Sequence, residues 1–459
     1  VLFRSEMPIR NFSDEYRQFV RGYVLPLLGV PKRNVKFYNA KDEYRCSDVV
    51  GKIDNTQLYF SSLERTKFYM DIGRDFTEDH LKLARMLCRS FFEVSRFQYK
   101  QPTKEQIHYA SDLHRDRAYE MAVQRGICMW SVGKKCDSVE KLLSLLEKWA
   151  VQTYEGRKVT FGFVVNPKDT TSPSISGKDW LKFLENDYSA VLTDCIHSLI
   201  QLDKDCGFIQ FLSLAEDGRI PEHELSPFLP VRFSQCIGKY IHGSAIGLFL
   251  LNNGDIVLSK DAEIKLVKRN LHWLNFSFRA FRDAICESQI SWNERLLQEV
   301  YATTLDVSFA HTGGIIAIVE SPDSLRVTES PILKPCDDLM RDDFNLERDS
   351  KTADSPNQKD KEMRAIKREV IKQLVGRKSF CQLDRKLRSE LTAMDGACIL
   401  DLNGNVISFG AIIRNEAESS GGARSAACKT LSKHGLAVKI STDGYVELYL
   451  NGSLTFSIK

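Results

Sequence analysis

The sequence predicts an α/β protein whose C-terminal third is a mixed β-sheet flanked by helices. Two observations indicate this fold class: short apolar runs closed by Asn-Gly or Asp-Gly turns, and longer stretches between them with apolar residues at helical spacing. At 459 residues the chain is too long for one core. The patterns divide it into a mainly helical region at 1–151, a mixed α/β region at 152–288 and a C-terminal region at 289–459.

Composition excludes several classes of function. Hydrophobic residues make up 43% of the chain and charged residues 27%, as in globular proteins. A net charge of +3 is too balanced to favour nucleic acid or an anionic membrane as the main partner. The longest clean apolar stretch, Ala245 to Leu251, is far too short for a membrane helix. The chain shows no secretion-signal pattern, and its twelve cysteines lack metal-like spacing, so we expect a cytoplasmic protein with reduced thiols.

Three helices are predicted in the first region. The first follows Thr77-Glu78-Asp79, a helix start signal, and has apolar residues at helical spacing from Leu81 onward. A second is expected from Lys104 to Arg125, ended by Gly126 in a left-handed cap. The third is the amphipathic segment from Ser138 to Val151.

The middle region reads as strands and one longer helix. Lys158 to Val165 is predicted to be a buried strand, and a helix is expected near Lys178 to Leu202. The segment Gly243 to Asp261 contains two apolar runs around an Asn-Gly pair, which predicts a β-hairpin.

The C-terminal region has the pattern of a single sheet domain. In Phe309 to Glu320 a glycine pair leads into an apolar strand, as in the centre of a covered sheet. The amphipathic helix Gln382 to Ala393 leads to the next strand, and Leu436 to Gly452 begins a closing antiparallel meander. Residues 337–372 are rich in Asp, Glu, Lys and Arg, which predicts a flexible charged insertion consisting of a solvated loop and a helix.

Met394-Asp395-Gly396-Ala397 is the first candidate site. A carboxylate at a strand edge is a hard oxygen ligand suited to Mg²⁺ or Mn²⁺, and small residues after it let a ligand lie against the backbone. An Asp-Gly pair alone is more often a simple turn.

Ser419 to Gly435 is the second candidate. A glycine-rich entry into a helix beginning near Ala423 leaves backbone N–H groups free to bind phosphate, and Arg424 in the first turn can add a contact. The alternative is an ordinary surface helix with a solvated arginine.

Taken in order, these pieces resemble the diadenylate cyclase domain family, best known from the bacterial DNA-integrity scanning protein. That family has a Thr-Gly pair before an apolar strand, then Met-Asp-Gly-Ala, then Gly-Thr-Arg-His-Arg-Ala-Ala at a helix start. The matching segments here are Thr312-Gly313-Gly314, Met394 to Ala397 and Gly421 to Ala427. The resemblance implies Asp395 as ligand of Mg²⁺ or Mn²⁺. It implies these nucleotide contacts: Thr312, Gly313, Gly396, Ala397, Gly421, Gly422, Arg424 and Ser425.

One departure from the family pattern affects the expected activity. The basic triplet becomes Ala423-Arg424-Ser425, so one cation remains where the family has two or three. Losing positioned cations harms phosphoryl transfer more than it harms binding. The chain therefore resembles degenerate domains of this type that are regarded as nucleotide sensors in bacterial signalling.

Three functions stay open. The first is a sensor of an adenine nucleotide or a cyclic dinucleotide that acts on an effector protein. In this case the middle region at 152–288 is expected to be part of the sensor module, and the N-terminal region has an unknown role. The second is an active diadenylate cyclase using Asp395, Arg424 and Ser425. The third is a ligand-free structural or partner-binding protein. The resemblance also implies a homo-oligomer formed through the C-terminal domain. Motifs of other nucleotide-binding and hydrolytic enzymes are absent from the sequence.

Overall fold

The computed structural model describes residues 12–30, 36–39, 48–54, 56–61, 67–71, 76–99, 112–286, 290–326, 332–340, 356–414 and 422–458. The chain divides into two compact units. Unit 1 comprises Val1–Ser226 and Arg232–Phe276, and unit 2 comprises Pro227–Val231 and Ser277–Lys459. The first two regions predicted from sequence therefore contribute to one unit, and the C-terminal region corresponds to most of the other.

The helices of unit 1 are α1 Phe12–Phe19, α2 Leu25–Leu27, α3 Glu78–Tyr99, α4 Asp112–Val132, α5 Asp137–Ala150, α6 Gly177–Leu184, α7 Leu214–Asp217 and α8 Ser234–Tyr240. Its strands are β1 Lys36–Asn39, β2 Val50–Lys52, β3 Gln57–Ser61, β4 Lys67–Asp71, β5 Thr153–Tyr154, β6 Arg157–Lys158, β7 Phe161–Val165, β8 Ser198–Leu202, β9 Phe208–Ser213, β10 Ile246–Leu250, β11 Ile256–Lys260, β12 Glu263–Arg269 and β13 His272–Leu274.

The helices of unit 2 are α9 Phe278–Cys286, α10 Glu294–Ala310, α11 Pro356–Val375, α12 Arg385–Thr392 and α13 Gly422–Leu431. Its strands are β14 Gly314–Val319, β15 Ala397–Asp401, β16 Val406–Ala411, β17 Gly435–Ile440, β18 Val446–Leu450 and β19 Ser453–Ile458. The α/β class predicted from sequence is confirmed.

The N-terminal part of unit 1 holds a sheet that the mainly helical prediction missed. Strands β1 to β4 form an antiparallel sheet in the order β1-β4-β3-β2. Phe60 on β3 lies opposite Phe68 on β4, and their rings stack with centroids 5.3 Å apart. Such cross-strand aromatic pairs stabilise short strands and explain why these segments form a sheet and not helices.

The helices α3 and α4 pack closely, and Gly126 makes this possible. The start signal of α3 is confirmed, because Thr77 Oγ1 accepts a hydrogen bond from the His80 N–H. The predicted end at Gly126 is wrong, since α4 continues to Val132. A Cβ at Gly126 would lie 2.7 Å from the Leu87 Cα, so this glycine allows two helices to approach and does not end one. The predicted start of that helix at Lys104 lies outside the described residues.

Unit 1 also contains a seven-stranded sheet in the order β13-β12-β11-β10-β7-β8-β9. The hairpin predicted around the Asn-Gly pair is confirmed as β10 and β11. Residues 178–202 form α6, a short 3₁₀ turn and β8, so the single long helix predicted there is wrong. Trp149 of α5 packs against Phe161 of β7 with ring centroids 4.9 Å apart, which joins the helices and this sheet in one core.

The six-stranded sheet of unit 2 has the order β16-β15-β14-β17-β18-β19. Strands β14 and β15 are parallel, and the other neighbours are antiparallel, so the predicted mixed sheet is confirmed. Every residue of β14 is buried, as expected for a central strand covered on both faces. Asn451 and Gly452, with φ of 49° and 73°, form the predicted tight turn between β18 and β19.

Helices cover both faces of this sheet. A Cβ on Gly313 would meet Arg424 of α13, whereas one on Gly314 would meet Thr392 of α12. Within β14 itself, Ile315 belongs to the same buried cluster as Cys428 and Leu431 of α13. Successive residues of a strand point to opposite faces, so Gly314 and Ile315 place α12 and α13 on opposite sides of the sheet. The Arg388 guanidinium of α12 lies 2.6 Å from the Glu299 carboxylate of α10, which holds these two helices together.

The charged insertion predicted at 337–372 is partly folded into unit 2. Asp337 and Asp338 are buried, and Asp338 pairs with Arg326 at 2.8 Å. Arg368 of α11 is also buried and donates to the Asp338 main-chain oxygen at 2.8 Å. The prediction of a solvated loop is therefore wrong for its first residues, because their carboxylates have partners elsewhere in the domain. Residues 341–355 lie outside the described residues.

Among the helices of the described residues, none combines the length and apolar character that crossing a membrane requires.

Candidate functional site

One edge of the unit 2 sheet collects most of the residues predicted from sequence. Parallel pairing of Ile316 with Cys398 places the N-terminal ends of β14 and β15 side by side, so Gly314 comes level with Gly396. The antiparallel strand β17 ends at the same place, where Ile440 pairs with Gly314. Segments far apart in the sequence therefore meet at this edge, which we call the glycine edge.

Gly313 and Arg424 are in direct contact at the glycine edge. Gly313 has φ of 74°, and a Cβ there would lie 2.6 Å from the Arg424 Nη1. Only glycine suits both this backbone conformation and this close approach. The Thr-Gly pair and the helix start, which the sequence linked only by resemblance, are thus neighbours in the fold.

Arg424 carries a positive charge that has no partner among the described residues. Its side chain is half-buried, and it makes no ion pair or hydrogen bond with any residue that the structure describes. A guanidinium has five N–H donors arranged to bind carboxylates or phosphates. Its placement over a glycine, at the first turn of α13, leaves those donors available to an anion.

Asp395 is exposed and lies two residues before the start of β15. Its carboxylate makes no ion pair or hydrogen bond within the described part of the chain. Thr312 is likewise exposed, just before Gly313 and β14. A carboxylate oxygen of Asp395 is free to coordinate a divalent cation, and Asp443, exposed on the turn after β17, is a second carboxylate at this edge.

Gly396 and Ala397 are small for reasons of packing. Gly396 has φ of 111°, and a Cβ there would lie 2.4 Å from the Gly410 carbonyl carbon of β16. Ala397 is fully buried and pairs with Ala411. These two positions therefore bring β16 close to Asp395. Ala397 has no exposed surface for a ligand to contact, whereas Gly396 is half-buried.

Ser425 faces the core instead of the glycine edge. It is buried, and its Oγ accepts a hydrogen bond from the Lys439 Nζ at 2.9 Å. The Lys439 ammonium also donates to the Glu447 carboxylate at 2.8 Å, and the Tyr449 hydroxyl donates to the same oxygen at 2.8 Å. Burial, together with the hydrogen bond to Glu447, raises the pKa of Tyr449. The serine hydroxyl is thus part of an internal polar network that holds α13 on the sheet.

The helix start itself agrees with the prediction. Helix α13 begins at Gly422, which has φ of 79°, and a 3₁₀ turn follows it as far as Gly435. Gly422 is exposed. Gly421, another predicted nucleotide contact, lies outside the described residues.

Lys367 lies at the glycine edge, although the sequence did not indicate it. It belongs to α11, in the segment predicted to be a flexible charged insertion, and its Nζ donates to the Gly410 main-chain oxygen at 2.7 Å. A Cβ on Gly410 would lie 2.5 Å from this ammonium and 3.0 Å from the Asp395 main-chain oxygen. No sequence signal separates this lysine from its charged neighbours, because its position depends on how α11 packs.

A second group of possible metal ligands occurs in unit 1. Cys136, Asp137 and Glu140 have ligand atoms within 4.8 Å of one another. Arg125 already neutralises this group, since its Nη1 lies 3.2 Å from Asp137 and 2.9 Å from Glu140. The arrangement is explained as an ion-pair cluster.

No protein-family model matches the chain, and no curated protein matches it.

Proposed function

We propose that unit 2 is a nucleotide-binding sensor that binds an adenine nucleotide or a cyclic dinucleotide at the glycine edge, with Asp395 holding Mg²⁺ or Mn²⁺. The observation that carries this proposal is the Arg424 guanidinium, which packs on Gly313 and has no partner among the residues that the structure describes. Within the described fold this guanidinium gains no ion pair or hydrogen bond. A phosphate there would form charge-assisted hydrogen bonds with the guanidinium and with the start of α13.

Binding is favoured over cyclase activity by the environment of Ser425. In an active cyclase of this type, cations at the helix start would neutralise the transferring phosphoryl groups. Here Ala423 carries no charge, and Ser425 is buried against Lys439. Arg424 is left as the single cation of the triplet, which suits ground-state binding better than stabilisation of a transition state.

Isothermal titration calorimetry tests the proposal with MgATP, AMP and cyclic di-AMP. We expect the wild-type protein to bind at least one of them, and Arg424→Gln to weaken that binding by about tenfold or more. Lys429→Gln, an exposed position on the same helix, is the matched control and should bind normally. Asp395→Asn should weaken binding only when Mg²⁺ is present, whereas Asp261→Asn, an exposed carboxylate of unit 1, should have no effect.

If none of the three ligands gives a heat of binding, the proposed function is contradicted. Incubation with ATP and Mn²⁺ separates the sensor from the cyclase, because we expect no cyclic di-AMP above background. Clear product formation would replace the sensor with the active enzyme.

The sensor proposal includes a setting and partners. We propose that the protein acts in the cytoplasm, consistent with the buried free thiols of Cys398 and Cys428, whose pKa values are raised by burial. We further propose a homo-oligomer through unit 2 and an effector protein that responds to the bound nucleotide. Sedimentation with and without cyclic di-AMP tests the oligomer.

A further inference from the structure

We propose that Lys367 of α11 is a second phosphate-binding cation of the glycine edge, so that the charged segment before it completes the site. This inference rests on the proposed function and extends it to a residue and a ligand class. The triplet Ala423-Arg424-Ser425 has fewer cations than the family pattern. Lys367, which lies on the β16 side of Asp395, supplies another positive charge, while Arg424 lies on the β14 side.

The position of Lys367 carries the inference. Its ammonium donates to the Gly410 oxygen and lies beside the Asp395 main chain, at the end of β16. Gly410 touches Gly396, and the strand register brings Gly396 level with Gly314. Lys367 and Arg424 therefore stand at the two ends of the same short row of glycines.

Lys367 also has donors to spare. An ammonium has three N–H groups, and the single hydrogen bond to Gly410 uses one. The side chain is half-buried and forms no ion pair with a carboxylate in the described part of the chain. By contrast Arg368, the next residue, is buried and donates to the Asp338 main chain, so it anchors the helix. These neighbouring cations on α11 thus have different roles: Arg368 anchors the helix, and Lys367 has N–H donors that no described residue accepts.

The spacing of the two cations indicates the ligand. Gly410 lies on β16 and Gly313 precedes β14, with β15 between them. Adjacent strands are about 4.8 Å apart, so the two anchor points are about 10 Å apart. A ligand that engages both cations must carry at least two phosphate groups, as in ATP or a cyclic dinucleotide. AMP, with one phosphate, should engage only one of them.

Calorimetry on the full chain tests this with MgATP, cyclic di-AMP, AMP and adenosine as probes. We expect Lys367→Gln to weaken MgATP or cyclic di-AMP binding about tenfold and to leave adenosine unchanged. Lys367→Arg, which retains the charge, should keep most of the affinity. Lys378→Gln, an exposed lysine just beyond α11, is the control for loss of one positive charge. For AMP, either Lys367→Gln or Arg424→Gln should weaken binding, but not both.

Each result has a distinct meaning. Wild-type binding of MgATP or cyclic di-AMP that Lys367→Gln leaves unchanged would overturn the inference while the proposed function stands. If Lys367→Gln and Arg424→Gln weaken AMP binding equally, the inference that each cation binds a separate phosphate is overturned. Loss of adenosine binding together with MgATP binding would show that Lys367 only supports the fold, and this also counts against the inference. Absence of wild-type binding to every probe would overturn the proposed function itself.

Discussion

Arg269 of unit 1 and Arg424 of unit 2 are two arginines in opposite circumstances. Arg269 is 1% exposed, and two of its nitrogens donate to the Asp255 Oδ2 at 2.9 and 2.6 Å. Arg424 is half-buried and unpaired among the described residues. Fully burying a charge is tolerable only with a partner, so Arg269 belongs to the fold. The proposed function assigns the donors of Arg424 to an anionic ligand.

Two carboxylates repeat this contrast. Asp194 of unit 1 accepts hydrogen bonds from the backbone N–H groups of Ile196, His197 and Ser198. Asp395 of unit 2 is exposed and accepts none from the described residues. Charged groups whose hydrogen bonds are satisfied internally contribute to stability. The proposed function assigns ligand binding to charged groups that make no such bonds with the described residues. Substitutions in each class should therefore affect different measurements.

The largest expected effect is on stability, at Arg269. Arg269→Met leaves Asp255 buried without its partner and should lower the free energy of unfolding by about 3–5 kcal/mol. Arg219→Met, an exposed arginine of unit 1, should change it by less than about 0.5 kcal/mol. Differential scanning calorimetry measures both, and adding Asp255→Leu to Arg269→Met should restore part of the loss. Equal melting temperatures for the two single variants would remove the distinction between paired and unpaired arginines.

A smaller loss is expected at Ser425, where the cyclase-like residue would be arginine. Ser425→Arg forces a long cation into a buried position beside Lys439 and should destabilise the protein by about 2–3 kcal/mol. Ser425→Ala, which only removes one hydrogen bond, should cost about 1 kcal/mol. Thermal melting compares them. A stable Ser425→Arg variant that gains cyclic di-AMP synthesis would show instead that this position opens toward the ligand.

The smallest effect concerns pH. Burial alone would raise the pKa of Asp194. Hydrogen bonds from the backbone and ring of His197 and from neighbouring backbone N–H groups outweigh burial and lower this pKa to about 2. An ordinary aspartate has a pKa near 3.9, so the ionised carboxylate stabilises the fold above that pH and loses its effect as pH falls through about 2. Asp194→Ala should lower the melting temperature by about 2–4 °C at pH 7, the change typical of 1 kcal/mol in a domain of this size.

That difference from wild type should shrink toward zero near pH 2, while Asp395→Ala should match wild type at both pH values. A pH-independent loss for Asp194→Ala would assign its effect to packing and not to the charge.

Local signals predicted unit 2 well and unit 1 less well. The turns of unit 2 contain glycine at positions with positive φ, such as Gly444 and Gly452, and such turns can be recognised in the sequence. In sequence Gly126 resembles these turn glycines. Its actual role is to allow close contact with α3, and no local sequence pattern shows such a contact. The short aromatic strands β1 to β4 were missed because their stability comes from cross-strand pairs.

The candidate site was predictable to the same extent. Thr312, Gly313, Asp395 and Arg424, which the sequence linked only through the family resemblance, lie together at the glycine edge. Ser425 and Lys367 could not be assigned, because one is turned inward by Lys439 and the other is brought in by the packing of α11.

The position of β14 in the sheet has a consequence for folding kinetics. Strands β17 to β19 are joined by tight turns and pair locally, whereas Ile316 pairs with Cys398 about 80 residues away along the chain. Closing so long a loop is slow, so we expect insertion of β14 between β15 and β17 to be a late event. The contact between Gly313 and Arg424 forms only at that step. Pulse-labelling hydrogen exchange should find β17 to β19 protected before β14, and a nucleotide should accelerate no phase earlier than the last.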